Sequence, residues 1–435
     1  MNIKAIISQS AICLTLMLWS NLTPIYGQEK ITAQENYQKE VKTMANKKAI
    51  KSAFKFLEER DNQTIEELIF LTEIPAPPFK EMKRAETFKA MLEKIGVDKA
   101  WIDEVGNVIA LKKGTKSNKV VALDAHLDTV FPEDTDVTVQ KKGDTLYAPG
   151  IGDDTRGLSM VIAILDAMKH SKIQTEADIL FIGSVGEEGL GDLRGVRHIF
   201  NEGNLNIDSW ISIDGGSLGR VNNRALGSKR YKAIFSGKGG HSWGAFGLAN
   251  PHHALGWAIT EFTKKAVEFT NSGVKTSYNI GRIGGGTSVN AIPFESWFEV
   301  DMRSEGVNEL KEIDRIFNAA MTKAVEDYNN SGVKDKVTLE LINIGDRPSG
   351  EIPVESPIIQ RAIAISNYFN AKTDTTIGST NASIPISMGI PSVCIGRGGK
   401  GGGAHSLDEW WLNDNGVDAI KKALLLLITE ANLAN

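Results

Sequence analysis

Cysteine is nearly absent from this sequence. The 435 residues contain only two, Cys13 and Cys394. Cys13 lies in an N-terminal segment that we expect to be removed, so no intrachain disulfide can form in the mature chain. The chain must therefore be stabilised by its packed core, and its length predicts two domains.

An excess of positive charge and nucleotide-binding motifs are also missing. Lys and Arg number 49 against 54 Asp and Glu, which gives a formal net charge of -5. This balance argues against a dedicated nucleic-acid binder. The glycine-rich runs GRGGKGGGAHS and GRIGGGTS contain no GxxxxGK(S/T) pattern, so no phosphate loop is expected. Beyond the N-terminal segment, no apolar run is long enough to span a bilayer.

The first residues form a pattern of their own. The stretch MNIKAIISQSAICLTLMLWSNLTPIYGQEK has one early Lys, an apolar centre, and turn residues near Gly27. This layout predicts a signal peptide over residues 1–27 and export to the periplasm or the medium. The alternative is an N-terminal membrane anchor, which Ser, Gln and Asn within the short apolar stretch disfavour. Residues 28–48 are polar and are predicted to be a lead-in.

The remaining sequence alternates between strand and helix patterns. The runs NVIALKKG, KVVALDAHLDTV, ADILFIGSVGEE and SWISIDGG resemble strands, and LSMVIAILDAMKH is typical of a helix between them. This alternation predicts an α/β fold with helices on the faces of a sheet. We expect a catalytic domain over residues 49–225 and 341–435, with an inserted α+β domain over 226–340. GVDAIKKALLLLITEAN is predicted to form an amphipathic final helix.

Acidic residues and histidines follow several of these strands. Ligands bind at strand ends in an open α/β sheet, so these side chains are expected to converge. Singly, each has a simpler explanation as a turn, a helix cap or a structural histidine. Together, two histidines and three carboxylates would suffice for two metal ions that share one carboxylate. The five candidate ligands are His126, Asp153, Glu188, Asp214 and His405. Asp128 is expected to orient His126, because residues two apart on a strand face the same side.

The order of the motifs resembles the co-catalytic zinc exopeptidase family, which includes peptidase T, carboxypeptidase G, aminoacylase and acetylornithine deacetylase. The motifs are HLDTV, GIGDDTRG, GEEG, SIDGG, KGGHSWG, GGGTSVNAIP, DMR and AHSLDEW. The resemblance implies a catalytic domain with a mostly parallel sheet and an inserted lid or dimerisation domain. It implies that His126 and Asp214 bind one zinc, that Glu188 and His405 bind the other, and that Asp153 bridges them. Glu187 is then the general base.

The same resemblance assigns residues of the insert to the substrate. It implies that His241 stabilises the oxyanion, often from the partner subunit of a homodimer, and that Asn290 and Arg303 bind a substrate carboxylate. Arg347 is a second candidate for that carboxylate. Without the resemblance, His241, Asn290 and Arg303 would be a surface turn histidine, a loop asparagine and an ion-paired surface arginine. Two departures from the family pattern remain: Asp154-Thr155-Arg156 after the bridging Asp, and Ser379 with Asn381 in IGSTNAS.

The predicted activity is hydrolysis of amide bonds in short peptides by an exported exopeptidase, through a water activated by two Zn²⁺ ions. Co²⁺ or Mn²⁺ could replace zinc in a carboxylate-rich site. The alternatives are an N-acyl amino acid deacylase and a carboxypeptidase that releases C-terminal glutamate. A binding module that has lost catalysis would lack some of these ligands or the base, and none is missing.

Overall fold

The computed structural model describes residues 31–434. The predicted signal peptide, with Cys13, lies outside the described residues. No helix within them combines the length and the apolar character needed to cross a membrane.

The helices and strands follow each other in the order that the sequence patterns indicate. The helices are α1 (Glu35–Ala45), α2 (Lys48–Glu59), α3 (Asp61–Thr72), α4 (Met82–Ile95), α5 (Thr155–His170), α6 (Arg194–Asn201), α7 (Pro251–Thr270), α8 (Val307–Asn329), α9 (Pro357–Tyr368), α10 (Ser383–Ser387) and α11 (Gly416–Ala431). The strands up to the middle of the chain are β1 (Lys99–Ile102), β2 (Val108–Lys112), β3 (Val120–His126), β4 (Gln140–Lys142), β5 (Thr145–Tyr147), β6 (Asp178–Ser184), β7 (Ser209–Ile213), β8 (Arg220–Ala225), β9 (Gly227–Ser236) and β10 (Gly240–His241). The later strands are β11 (Thr276–Gly285), β12 (Ala291–Ile292), β13 (Glu295–Ser304), β14 (Thr338–Arg347), β15 (Gly350–Glu351), β16 (Asp374–Gly378), β17 (Ser392–Ile395), β18 (Lys400–Gly402) and β19 (Trp410–Leu412).

The central sheet has the order β1-β2-β6-β3-β7-β17-β8-β15, and β16 also pairs with β8. The four middle strands β6, β3, β7 and β17 run parallel. Their residues are almost all buried, as expected for strands covered on both faces. Helices α5 and α11 pack on this sheet. The predicted α/β class with a mostly parallel sheet is confirmed.

A second, four-stranded antiparallel sheet has the order β11-β13-β9-β14. Burial alternates along β13, so one face of the sheet is covered, and α7 and α8 pack on it. Phe235, Phe262, Phe298 and Phe317 form the centre of this separate core. We call this sheet with its two helices the lid. The boundaries at 226 and 340 stay a prediction; the lid sheet itself continues through β14 to Arg347.

One local expectation, that of an amphipathic final helix, was wrong. The lead-in over residues 28–48 stays a prediction, and helix α1 within it packs against α9 and buries Val41 and Ala45. Helix α11 is buried on nearly every side, because α1, α2, α5, α9 and the sheet all contact it. Even Lys422 is buried there, where it donates to the carbonyls of Leu218 and Arg220 at 2.8 and 3.0 Å.

Candidate metal centre and cleft

The site lies where three neighbouring parallel strands end. Strand β3 ends at His126, β6 is followed by Glu187 and Glu188, and β7 is followed by Asp214. Parallel strands bring their carboxyl ends to one edge of the sheet, which places these side chains together. His405 reaches the same place from the loop between β18 and β19.

Asp153 joins the two histidines. One of its carboxylate oxygens lies 3.1 Å from Nε2 of His126, and the other lies 3.3 Å from Nε2 of His405. His405 Nε2 is also 2.9 Å from Oε1 of Glu188. Three groups of possible ligand atoms, each within 4.8 Å, result: His126, Asp153 and Asp214; Asp153, Glu188 and His405; and His126, Glu187 and Glu188. Asp153 belongs to the first two, and imidazole nitrogens with carboxylate oxygens are a donor set that zinc accepts.

The electrostatics of this cluster favour a positive charge. Hydrogen bonds to Asp153 and Glu188 raise the pKa of His405 to about 10. Burial opposes the charged form of His126, but Asp153 and its neighbouring carboxylates still raise the pKa of that imidazole well above its usual value. A metal ion must displace such protons, so metal affinity will rise with pH.

Asp128 acts on the glutamates more than on the imidazole. Its two carboxylate oxygens accept the backbone N–H groups of Glu187 and Glu188, at 3.0 and 2.8 Å. The nitrogen Nδ1 of His126 lies 2.9 Å from the backbone carbonyl of Asp128 but 3.7 Å from its carboxylate. The expectation that the Asp128 carboxylate orients His126 is therefore corrected: the carbonyl does so, and the carboxylate holds the turn that carries both glutamates.

Arg347 is paired with the predicted base. Its Nη1 lies 3.2 Å from Oε1 of Glu187, and its Nη2 donates to the Glu187 carbonyl at 2.5 Å. Ser379, one of the two departures in IGSTNAS, accepts a third hydrogen bond from Arg347 at 3.0 Å. Burial raises the pKa of Glu187 well above its usual value, and Arg347 opposes that shift. Both side chains line the cleft, so the predicted substrate ligand Arg347 is already engaged by the base.

The predicted substrate residues of the lid fall in two places. Arg303 lines the cleft, where its Nε donates to Asp301 at 2.7 Å. His241 and Asn290 are exposed and are not among the lining residues. They lie side by side, because β10 pairs with β12 and the Ser242 N–H donates to the Asn290 carbonyl at 3.0 Å. The structure therefore brings these two residues together, but away from the cleft of the same chain.

The departure from the family pattern after Asp153 is not among the residues that line the cleft. Asp154 is buried and caps α5, accepting from the N–H groups of Gly157 and His126 at 3.2 Å each. Thr155 forms a 2.8 Å hydrogen bond with Thr72. Arg156 stacks on Trp411 and donates to the Gly416 carbonyl. Thr155 and Arg156 therefore serve the packing behind the site.

Four charged residues near the site were missed: Glu409, Arg220, Arg230 and Arg397. Arg220, the first residue of β8, lines the cleft. Glu409 is buried and accepts N–H groups of Gly150, Gly152 and Asp153 at 2.8 to 3.0 Å, which fixes the loop that carries the shared ligand. Burial raises the pKa of Glu409 to about 7. The signal was its place in AHSLDEW, four residues after His405. Arg230, opposite Asp301 in the lid sheet, and Arg397, after β17, both line the cleft, and the sequence carried no signal for either.

The cleft has a volume of about 700 Å³. Its lining contains four of the acidic residues named above, namely Asp153, Glu187, Glu188 and Asp214. It also contains five arginines, which are Arg220, Arg230, Arg303, Arg347 and Arg397. Metal ions at the acidic cluster would neutralise the carboxylates and leave a cleft that attracts anions.

Known protein sequences match most of this chain. The family model described as peptidase family M20/M25/M40 matches residues 122–429. The uncharacterized protein YqjE of Bacillus subtilis is 24% identical over 355 residues, which cover 78% of this chain and 91% of YqjE. The N-acetylcysteine deacetylase of Bacillus subtilis is 24% identical over 245 residues, 54% of this chain and 63% of that protein.

Solved structures share the fold. The aminopeptidase PepT of Bacillus cereus superposes with a TM-score of 0.66 at 18% identity, over 85% of this chain and 97% of PepT. A tripeptidase of Staphylococcus aureus gives 0.66 at 21% identity, over 85% and 98%. YxeP of Bacillus subtilis, described as a dinuclear metal binding peptidase, gives 0.62 at 16% identity, over 86% and 99%. At these identities the likeness establishes the fold alone.

Proposed function

Because the chain belongs to peptidase family M20/M25/M40 and is a metal-dependent hydrolase of amide bonds, we propose that it is an exopeptidase that cleaves short peptides with two zinc ions. The observation that carries the proposal is the position of Asp153, whose two carboxylate oxygens face two different histidines. A carboxylate shared in this way is what a pair of neighbouring metal ions requires.

The residues present fit two ions. His126 and Asp214 would hold one, Glu188 and His405 the other, and Asp153 both. When bound, such ions supply a water of lowered pKa and polarise the carbonyl that it attacks. The carbonyl of Asp128 fixes the orientation of His126, and Glu409 fixes the loop of Asp153. Both proposed ligands are therefore held in place by hydrogen bonds to residues that would not contact the metal.

Glu187 is the proposed general base. It lies next to the ligand Glu188, and its buried carboxylate reaches the cleft beside His126. Its raised pKa makes it a stronger base near neutral pH. It would take the proton from the attacking water and return it to the leaving amine. Arg303, at the lid side of the cleft, would hold a free carboxylate of the substrate through its planar guanidinium.

We further propose that a second copy of the chain supplies His241 and Asn290. Their exposed ribbon carries large apolar side chains, with Trp243 and Phe246 at 89% and 81% exposure and Val289 fully exposed. Such a patch is typical of an association surface. A mixing experiment tests this. Glu187→Gln and His241→Ala are each expected to be inactive alone, and hybrid dimers regain activity only if His241 acts in the other subunit's cleft. No recovery despite hybrid formation would contradict the proposal.

An assay panel with Zn²⁺, Co²⁺ or Mn²⁺ tests the substrate. We expect turnover of di- and tripeptides, in line with the similarity to PepT and to the tripeptidase. The second candidate is an N-acyl amino acid deacylase, favoured by the similarity to N-acetylcysteine deacetylase. Release of glutamate from C-terminal conjugates would identify the carboxypeptidase alternative. Cleavage of N-acetyl amino acids alone would contradict the peptidase proposal.

We also propose export, on the pattern of residues 1–27 alone. Expression of the full chain in a bacterial host, followed by fractionation and N-terminal sequencing, tests it. The expected product starts at Gln28 outside the cytoplasm. A full-length product in the cytoplasmic fraction would contradict export.

A further inference from the structure

Arg397 differs from every comparable arginine of the described chain. Five buried arginines have an Nε atom without a hydrogen-bond partner. Four of them donate through their terminal nitrogens to carbonyls, hydroxyls or carboxylates, and these are Arg60, Arg84, Arg156 and Arg347. Within residues 31–434, the buried Nε of Arg397 has no hydrogen-bond partner and no carboxylate lies within 4.0 Å of its guanidinium, although Arg397 is only 8% exposed. The carboxylates of Asp153, Asp154 and Glu409 act on its charge only from longer range.

The surroundings of Arg397 keep its guanidinium open to the cleft. Arg397 lines the cleft beside Asp153 and Asp214. Glycines from two loops and from strand β18 surround it: a Cβ atom would lie 2.6 Å from Nη2 at Gly152, 3.2 Å from Nη1 at Gly215, and 3.3 Å from Nη2 at Gly401 in β18. A side chain at Gly152 would therefore occupy the space of the guanidinium.

The other cleft arginines already have partners. Arg347 pairs with Glu187, and Arg230 and Arg303 share the carboxylate of Asp301. Arg220 donates to two backbone carbonyls, of Asp214 and Gly215. A buried guanidinium whose donors are unused is costly, and a carboxylate can satisfy two of them at once.

We propose that Arg397 binds a second carboxylate of the substrate, so that preferred substrates carry an acidic side chain next to the cleaved amide. The inference rests on the proposed amide hydrolysis and names the substrate class within it. Peptides and N-acyl amino acids carry carboxylates as their only common anionic groups. The proposed function already assigns one substrate carboxylate to Arg303 on the lid side of the cleft. Arg397 lies on the sheet side of the cleft, in the loop after β17, and would hold the other.

Matched substrates test the proposal. Each pair differs by one carboxylate: Ala-Glu and Ala-Gln, Glu-Ala and Gln-Ala, N-acetylglutamate and N-acetylglutamine. In at least one pair, wild-type kcat/KM should favour the acidic member by about 10- to 100-fold. Arg397→Gln should remove that preference mainly by raising KM for the acidic member, so that kcat/KM falls more for the acidic member than for its amide partner. Arg397→Lys should keep part of it, and Arg282→Gln, an exposed lid arginine, should keep all of it.

Other results would overturn the inference. If Arg397→Gln slowed both members of a pair equally, or lowered the bound metal, Arg397 would serve only to balance the carboxylates of the cluster. A wild-type enzyme without acidic preference would also contradict it.

A binding measurement separates this inference from the proposed function. Calorimetry on the zinc-loaded protein should show tighter binding of glutarate, which has two carboxylates, than of butyrate, which has one. Arg397→Gln should lower the affinity for glutarate by about tenfold or more. If the protein hydrolyses no amide, the proposed function is wrong, but the affinity for glutarate still tests whether Arg397 binds a carboxylate. Equal glutarate affinity in wild type and variant would refute the role of Arg397.

Discussion

Arg347 forms a buried ion pair with Glu187, with Nη1 and Oε1 3.2 Å apart. The two residues lie 160 positions apart in the chain, one at the end of a lid strand and one after a central strand. Burial therefore raises the pKa of the proposed base and the guanidinium of Arg347 opposes that shift, while Glu188 raises and His126 lowers the pKa to a smaller extent.

Removal of the base should stop turnover without loss of metal. Glu187→Gln keeps the shape of the side chain and the backbone N–H that Asp128 accepts. We expect kcat to fall by about 10²- to 10⁴-fold, the usual contribution of a general base. Elemental analysis should find the wild-type metal content. Near-normal turnover in the variant would show that another group is the base.

Removal of Arg347 should shift the pH profile. Glu187 must be deprotonated to act, and Arg347 lowers its pKa against burial. In Arg347→Met the pKa of Glu187 rises further, so the acid limb of kcat/KM moves to higher pH. Arg347→Lys should move it less. The exposed Arg315→Gln is the control. An acid limb that stays in place in Arg347→Met would mean that Glu187 does not govern it.

Substitution of single proposed ligands should change the number of metal ions bound per chain. After dialysis, we expect two ions in the wild-type protein, one in His405→Ala, one in Asp214→Asn and none in Asp153→Asn, because Asp153 belongs to both ligand groups. Chelator treatment of wild type should abolish activity, and added Zn²⁺ should restore it. Equal metal content in Asp153→Asn and His405→Ala would show that Asp153 does not bridge.

A negative charge at position 381 should destabilise the protein. Its Nδ2 donates to Asp124 at 2.9 Å and to Ser184 at 2.7 Å, in a buried network below the site. Burial already raises the pKa of Asp124 to about 6. Asn381→Asp would place two buried carboxylates together and should lower the free energy of unfolding by about 3 kcal/mol at pH 7. Urea denaturation of the double variant Asp124→Asn/Asn381→Asp should recover part of the loss; no recovery would refute direct pairing.

Lys422 should make stability depend on pH. Burial lowers its pKa to about 7, against 10.5 when exposed. Between these values the unfolded chain binds the extra proton, so stability rises with pH there; below about pH 7 both states are charged and the penalty is constant. Urea denaturation of the wild type between pH 7.5 and 9 should be steeper than that of Lys422→Met, by up to about 1.4 kcal/mol per pH unit. Lys51→Met, on an exposed position, should match wild type.

The sequence pattern indicated all five candidate ligands that the structure brings together. His126, Glu188 and Asp214 follow apolar runs, and parallel strands bring their ends to one edge of the sheet. Asp153 and His405 were predicted in the same set, and the order of motifs supplied the division of the five between two ions. The fold class followed from the alternation of strands and helices, because its periodicity is a local property of the chain.

The partners of the charged residues could not be predicted in this way. Arg347 and Glu187 meet only because the lid packs beside the central sheet, and nothing local in GDRP indicates that contact. Helix α11 was misjudged because its lysines suggest a polar face; the structure buries Lys422 by giving its ammonium two carbonyls. Such pairings depend on tertiary packing, which a single sequence does not contain.

The two hydrogen bonds that the Asp128 carboxylate accepts also constrain motion. Because one carboxylate holds two consecutive peptide N–H groups, Glu187 and Glu188 must move as a unit with the end of β3. Thermal displacement of that turn is therefore expected to carry the proposed base and the proposed metal ligand in the same direction, so that the separation between the two glutamates varies less than the position of either. The hydrogen bonds of Asp128 thus keep the distance between Glu187 and Glu188 constant and do not fix the position of either glutamate by itself.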